Sequence, residues 1–275
     1  MSYTNQFIQF GNLESSTQPA IPVAEDSSLC FYFNIQKDTD DTPTSLSISL
    51  ASLDGTTIVT DAADVYSIEG TLEQGTDTYY VILKNDVVQE HIALTQCFRL
   101  KAEYETEVGQ EIINGTECSN PLVYVDNSDG LFSTLKFYCN ESETLGFKFA
   151  TYYTKGTLTV LRKGYNSVLL PILLTSPQYT QTDKIYETRT GEQIVLYATI
   201  HKEYDGETEY IPEAWHQRIV AALSCDEVYI NNERVTKSDS YEINHDNYTF
   251  SDCGTRLTRA TFKCKTNITS RNSNY

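Results

Sequence analysis

Large apolar residues in this chain recur at every second position in short runs. Phe31, Phe33 and Ile35 alternate with polar or smaller groups, as do Leu46, Ile48 and Leu50. A period of two sends successive side chains to opposite faces, which describes a half-buried strand and not a helix. Runs rich in β-branched and aromatic residues cover 29–36, 46–53, 56–60, 79–83 and 92–104, then 122–125, 133–139, 144–150, 157–162, 167–174 and 193–202. Asp54-Gly55 suits a two-residue type I′ hairpin and Asn231-Asn232 a similar one, because these residues tolerate positive φ, and Lys155-Gly156, Lys163-Gly164 and Asp205-Gly206 supply further turn signals between runs. The expected fold is mainly β, built of antiparallel β-sandwich units. Short runs at 209–211, 228–230 and 234–235 and a closing strand at 257–263 complete it.

One amphipathic α-helix, 212–224, is predicted to pack on a sheet. Pro212 suits the first helical position, where its missing N–H costs nothing, and Glu213 in the first turn favours the helix dipole. Ile211, Ala214, Trp215, Ile219, Val220 and Leu223 share one stripe at helical spacing. Trp215, with Ile211, Ile219 and Leu223, is therefore read as a core anchor and not as a ligand platform.

The expected organisation is an extended N-terminal arm at 1–28, a β-sandwich domain at 29–110, a second β-rich domain with the helix at 111–253, and a closing strand with a basic tail at 254–275. The arm is rich in Ser, Thr and Gln and poor in large apolar groups. Asn114-Gly115 and Ser119-Asn120-Pro121 mark the connection near Ile112.

The formal charge is −18, from 38 acidic and 20 basic residues. A general surface of that sign does not grip nucleic acid, which requires phosphates to be neutralised. Up to residue 110 the only bases are Lys37, Lys84, Arg99 and Lys101, whereas Arg256, Arg259, Lys263, Lys265 and Arg271 crowd 254–275, where there is no acid. These five are the candidate interface: the tail of one copy lying on the acidic face of another. Their partial strand rhythm equally fits the outer face of a final strand, and contact with DNA is the competing role.

No constellation for chemistry stands out. There is no G-x-S-x-G elbow, and His91, His201, His216 and His245 lie in unrelated settings. No H-E-x-x-H is present, and neither Asp38, Asp40 and Asp41 nor Asp126 and Asp129 match a calcium loop. No glycine-rich loop precedes the helix. Carboxylate pairs of the glycosidase kind require a spatial test. Tyr79-Tyr80 and Tyr152-Tyr153 offer flat surfaces for sugars, yet tyrosine is equally at home in strands and interfaces. Cys30, Cys97, Cys118, Cys139, Cys225, Cys253 and Cys264 show no CxxC pair and an odd count, so they are read as reduced core thiols. The N-x-S/T triplets at Asn114, Asn140, Asn247 and Asn267 are read as chance. No apolar run reaches the roughly 18 residues of a membrane span. The polar start lacks the marks of a secretion signal, so a cytoplasmic site of synthesis is expected, with no enzyme activity and no cofactor.

Cys97-Phe98-Arg99-Leu100, Ser119-Asn120-Pro121-Leu122-Val123-Tyr124-Val125, Leu135-Lys136-Phe137-Tyr138-Cys139-Asn140-Glu141 and Gly146-Phe147 form a spaced pattern. It continues through Ile185-Tyr186-Glu187, Gly191, Leu196-Tyr197, Lys202, Tyr210-Ile211-Pro212, Ala222-Leu223 and Cys225-Asp226. The pattern, over about Gln96 to Ile243, resembles structural virion proteins of phages infecting Bacteroidales, the crAss-like group among them. The resemblance implies a tail or head–tail connection protein, built as a ring of identical copies with other tail and portal proteins as partners. DNA would pass through such a ring without specific binding. These are packing and turn residues, and no catalytic motif comes with them. A carbohydrate-binding or host-adhesion module is the other reading of the same β-rich composition.

Overall fold

The computed structural model of the chain describes residues 7–11, 20–36, 44–68, 76–108, 111–138, 152–154, 157–161, 165–250 and 255–272. Strands take up 62% and helices 9%, so the protein is mainly β with large antiparallel sheets, in keeping with the sandwich expected from the alternation. The chain divides into two compact units, Met1–Leu170 and Pro171–Tyr275. The connection expected near Ile112 falls instead within a strand.

Unit 1 holds β1 (Phe10–Gly11), β2 (Ile21–Val23), β3 (Cys30–Gln36), β4 (Ser45–Ala51), β5 (Thr57–Val59), β6 (Ala63–Ile68) and β7 (Thr76–Leu83). Helix α1 (Asn85–His91) follows, then β8 (Cys97–Val108), β9 (Glu111–Ser119), β10 (Leu122–Tyr124), β11 (Ser133–Tyr138), β12 (Tyr152–Thr154), β13 (Thr157–Leu161) and β14 (Asn166–Leu170). One sheet runs β1-β9-β8-β10-β2, with β4 on β8 and β5 on β4; another runs β13-β12-β6-β7-β3-β14-β11. Their inner faces meet through aromatic rings: Phe33 of β3 lies 5.1 Å from Phe10 and 5.9 Å from Tyr104 of β8. Phe31 and Phe33 of β3 and Leu50, Phe98 and Leu100 of the facing sheet are almost wholly buried, as the period of two requires.

The opening segment departs from an extended arm where it is described. Phe7 and Ile8 are fully buried, and Phe7 packs edge-on against Phe137 at 6.4 Å. Asn120 clamps this stretch, accepting from Gln9 N at 2.9 Å, donating through Nδ2 to Phe7 O at 3.3 Å, and donating its own N–H to Gln9 O at 2.8 Å. Ile21–Val23 adds a parallel strand to β10. A few large apolar residues, fixed by side-chain hydrogen bonds, order a segment whose average composition is polar. Residues 1–6 and 12–19 lie outside the described residues, as do the strand expected at 144–150, the turns at 155–156 and 163–164, Asp38, Asp40, Asp41, Cys139 and Cys253.

Two glycines read as breaks sit inside strands. Gly115 lies within β9, directly opposite Tyr104 of β8, and a Cβ there would land in the tyrosine ring. The ring covers the glycine backbone, a pairing that lets a strand tolerate a residue without a side chain. At Asp54-Gly55 only Gly55 has a positive φ, 85°, so the turn is not the two-residue type expected; Ser52–Thr56 forms it, closed by Ser52 N to Thr56 O at 2.9 Å.

Unit 2 holds β15 (Ile172–Leu174), β16 (Gln178–Glu187), β17 (Gln193–Thr208), β18 (Ile211–Pro212), helix α2 (Glu213–Leu223), β19 (Glu227–Ile230), β20 (Glu233–Lys237), β21 (Glu242–Phe250) and β22 (Arg256–Asn272). Strand β22 is the spine: it pairs with β17, β18, β20 and β21, while β17 carries β16 and β15 on its other edge. Asp205-Gly206, expected to turn, runs straight through β17, and Phe262 of β22 lies opposite Gly206 and covers it as Tyr104 covers Gly115. Asn231 and Asn232 do form the tight turn between β19 and β20, with φ of 51° and 65°. The described part of 254–275 is strand and not tail.

Helix α2 begins one residue later than expected, with Pro212 as its extended N-cap. Trp215, Ile219 and Leu223 are buried, as is Ile211 just before the helix. The buried stripe is rotated from the expected one: Ala214 is exposed, while His216 and Ala222 are buried. Cys225, just past the helix, is disulfide-bonded, which corrects the expectation of reduced thiols throughout; Cys30, Cys97, Cys118 and Cys264 are thiols outside any disulfide. No helix among the described residues is long and apolar enough to cross a membrane.

Candidate assembly surface

The outer face of the unit 2 sheet follows from strand parity. Along β22, Thr258, Ala260, Phe262 and Cys264 are buried, so Arg259, Thr261, Lys263 and Lys265 line the other face. On β17, Tyr204, Gly206 and Thr208 are buried and Asp205 and Glu207 are exposed. The antiparallel register sets Glu203 opposite Lys265, Asp205 opposite Lys263 and Glu207 opposite Thr261. A ladder of acids on one strand thus faces a ladder of bases on the next.

The pairs form in part. Lys263 Nζ lies 3.8 Å from Asp205 and Arg259 Nη1 lies 3.6 Å from Glu207, while Arg259 Nη2 donates to Glu209. Arg259 also stacks over Tyr210 at 4.5 Å. These groups are a third to three-fifths exposed, so each pair contributes at most about 1 kcal/mol. Arg256 lies at the strand's start, donates to His245 O and covers the Tyr248 ring at 4.4 Å. Arg271 stands opposite Ala198 in the β17 register. The five expected interface cations are therefore brought onto one strand, and two of them, Arg259 and Lys263, lie within 4 Å of carboxylates of their own sheet.

Exposed apolar side chains lie on the two strands that border this ladder, and the register sets Tyr179, opposite Lys202, and Tyr248, opposite Thr258, on the other face of the sheet. Tyr248 and Phe250 on β21 meet edge-to-face at 5.5 Å, 50% and 61% exposed. Tyr179, Ile185 and Tyr186 on β16 are likewise more than half exposed. Sequence reading missed them, because 178–187 and 242–250 are mostly polar and present no apolar stripe. The tyrosine pair it did single out behaves otherwise: Tyr79 and Tyr80 are buried, donating to Thr44 O and Tyr165 O, each at 2.7 Å. Tyr152 and Tyr153 lie in β12.

A cavity of about 320 Å³ opens beside β17 and β22, lined by Asp205, Glu207, Asp239, Glu242, Phe262 and Lys263 among others. Each of its four carboxylates has a partner. Asp205 faces Lys263, Glu207 faces Arg259, Asp239 accepts from Ser240 N at 2.8 Å, and Glu242 accepts from Ser240 Oγ at 2.8 Å. Behind the sheet, Lys202 Nζ holds both oxygens of Glu233 at 2.9 and 3.0 Å, tying β17 to β20. Tyr204 donates to the same carboxylate, and these contacts hold Glu233 below the usual carboxylate range against the opposing effect of burial.

Among the described residues no group of three or more His, Cys, Asp or Glu is placed to hold a metal ion. Asp126 and Asp129 instead accept from Ser128 N and Leu131 N at 2.9 and 3.2 Å, fixing their own turn. His216 is fully buried, with Nδ1 2.7 Å from the Tyr241 hydroxyl and Nε2 3.0 Å from both Thr258 O and Thr258 Oγ1. Burial holds its pKa below the ordinary histidine value. Burial also pushes the Cys30 and Cys264 thiols up to about 11, where they are poor nucleophiles. No protein family, no curated protein and no solved structure matches this chain.

Proposed function

We propose that the chain is a non-enzymatic structural component of a bacteriophage tail or head–tail connection, assembling in the virion as a ring of identical copies around the DNA conduit. The observation that carries the reading is the set of large apolar side chains left open on unit 2, Tyr179, Ile185 and Tyr186 on β16 and Tyr248 and Phe250 on β21, the strands that border the charge ladder of β17 and β22. Large apolar groups held in the open in this number favour a protein-contact surface. The pattern over residues 96–243 points to the kind of assembly. A net charge of −18 suits a conduit, since a like-charged wall repels phosphates.

Native mass measurement on the purified chain, together with immunogold labelling of phage particles, tests this. The expected result is a closed assembly of many 31.1 kDa copies and label at the tail. A chain that never exceeds a dimer and never labels particles would overturn it.

The Tyr248–Phe250 pair favours a second reading, a carbohydrate-binding or host-adhesion module. Exposed rings beside Asn247 and Arg256 are the groups such a site uses. Arg256 already covers Tyr248, which leaves Phe250 as the platform. Glycan retention lost on Phe250→Ala, with folding intact, would support this reading over the first.

A further inference from the structure

Strand β16 ends its sheet. It pairs with β17 along its whole length and with no other strand among the described residues, which leaves ten residues of backbone edge open, roughly 33 Å. An open edge carries unpaired N–H and C=O groups and templates another strand. Apolar side chains stand exposed on both of its faces: Tyr179 and Ile185 share one parity and Tyr186 has the other, at 66%, 51% and 55% exposure. Lys184 is the only cation on the strand.

We infer that β16 pairs with β16 of a second copy of this chain, antiparallel and two-fold, in the register centred on Thr182. A two-fold axis perpendicular to the sheet pairs residues whose numbers have the same parity, so only a few registers are open. Centring on Asp183 or Lys184 sets like charges directly opposite each other, which is destabilising. Centring on Gln181 sets Tyr179 opposite Asp183. Centring on Thr182 sets Tyr179 opposite Ile185 of the partner on one face, with Gln181 opposite Asp183 between the two apolar pairs. On the other face Thr180 meets Lys184 and Gln178 meets Tyr186.

The strand is thus self-complementary in apolar contact and in charge. Gln181 Nε2 already donates to Asp183 of its own strand at 2.8 and 2.9 Å, and pairing offers that amide the partner's carboxylate as well. The occupant is a second copy because this register makes β16 complementary to itself: no like charges stand directly opposite, and each Asp183 meets an amide instead of a carboxylate. Main-chain bonds along an added strand supply affinity and the side-chain pairs supply register. Ten residues a side is below the 20–30 of a standard interface, so the pair is of roughly micromolar strength. This contact goes beyond the ring reading and does not need it. A two-fold contact closes on itself, so a ring requires a separate head-to-tail surface.

Sedimentation equilibrium on the full chain from about 1 to 200 µM, bracketing the micromolar range expected for so small an interface, tests the register. The wild type is expected to dimerise reversibly. Gln181→Asp places a carboxylate opposite Asp183 at both symmetric positions and should weaken the dimer about tenfold or more. The double variant Gln181→Asp/Asp183→Gln exchanges the two groups and should restore it. Ile185→Lys, which removes the apolar pairs, should also give monomer with unchanged circular dichroism. A wild type that stays monomeric, a dimer indifferent to Gln181→Asp, or a loss that the double variant does not restore would each overturn the inference. A ring without any dimer would overturn it while leaving the ring reading intact.

Discussion

His216 shows how one buried side chain couples the helix to the sheet. Thr258 O can only accept, so Nε2 carries the proton and donates to it, leaving Nδ1 to accept from the Tyr241 hydroxyl. Burial raises the Tyr241 pKa, which keeps that phenol protonated and able to donate. Burial is also the main cause of the lowered His216 pKa; Thr258 and Glu213 oppose it and His245 on β21 adds to it. A histidine whose folded pKa is depressed stabilises the fold above its unfolded value, about 6.5, and that contribution is lost as pH falls through the folded pKa. Urea midpoints should therefore drop from pH 7 to pH 5, and His216→Gln should flatten this slope while lowering stability at pH 7. An unchanged slope would place the acid sensitivity elsewhere.

At the scale of elements, the glycine–aromatic pairs set the paths of the long strands. Gly206→Ala would drive a methyl group into Phe262 from directly across the ladder. It should destabilise unit 2 by about 1–3 kcal/mol, the usual range for overpacking. Phe262→Leu in the same chain should recover part of the loss, which chemical denaturation can measure. Glycine marks both a turn and a ring-covered strand, and only the partner strand distinguishes them, which is why Gly115 and Gly206 were misread. The alternation of Phe31, Phe33 and Ile35, the Asn231-Asn232 turn and the stripe of Trp215, Ile219 and Leu223 were legible because their signals are local. Helix α1 was not: Lys84 at its N-cap makes no side-chain capping bond. The sequence β16 presents, Gln-Tyr-Thr-Gln-Thr-Asp-Lys-Ile-Tyr-Glu, has too little one-sided apolar character to show as a half-buried strand. Of the candidate surface, the cation ladder of β22 could be read from spacing, and the exposed aromatics could not.

For the whole molecule, charge is divided unevenly. Residues 1–170 hold 23 acids and 9 bases, and residues 171–275 hold 15 acids and 11 bases. Two ways for copies to meet then differ in their response to salt. Pairing along β16 sets no opposite charges against each other and works against the repulsion of two acidic bodies, so dimerisation should strengthen as salt rises from about 0.01 M to 0.15 M and the Debye length shortens. A contact of the β22 cations with the acids of a neighbour should weaken over the same range, and weaken further in the Lys263→Gln/Lys265→Gln/Arg271→Gln variant. Sedimentation velocity across a salt series separates the two by sign. The single tryptophan has a further consequence. Trp215 is a buried residue of α2 in unit 2, so intrinsic emission selectively excited at long wavelength reports that unit and is silent about the other. A fluorescence melt laid over a far-ultraviolet one would reveal whether the two halves lose their structure together or in turn, without any label.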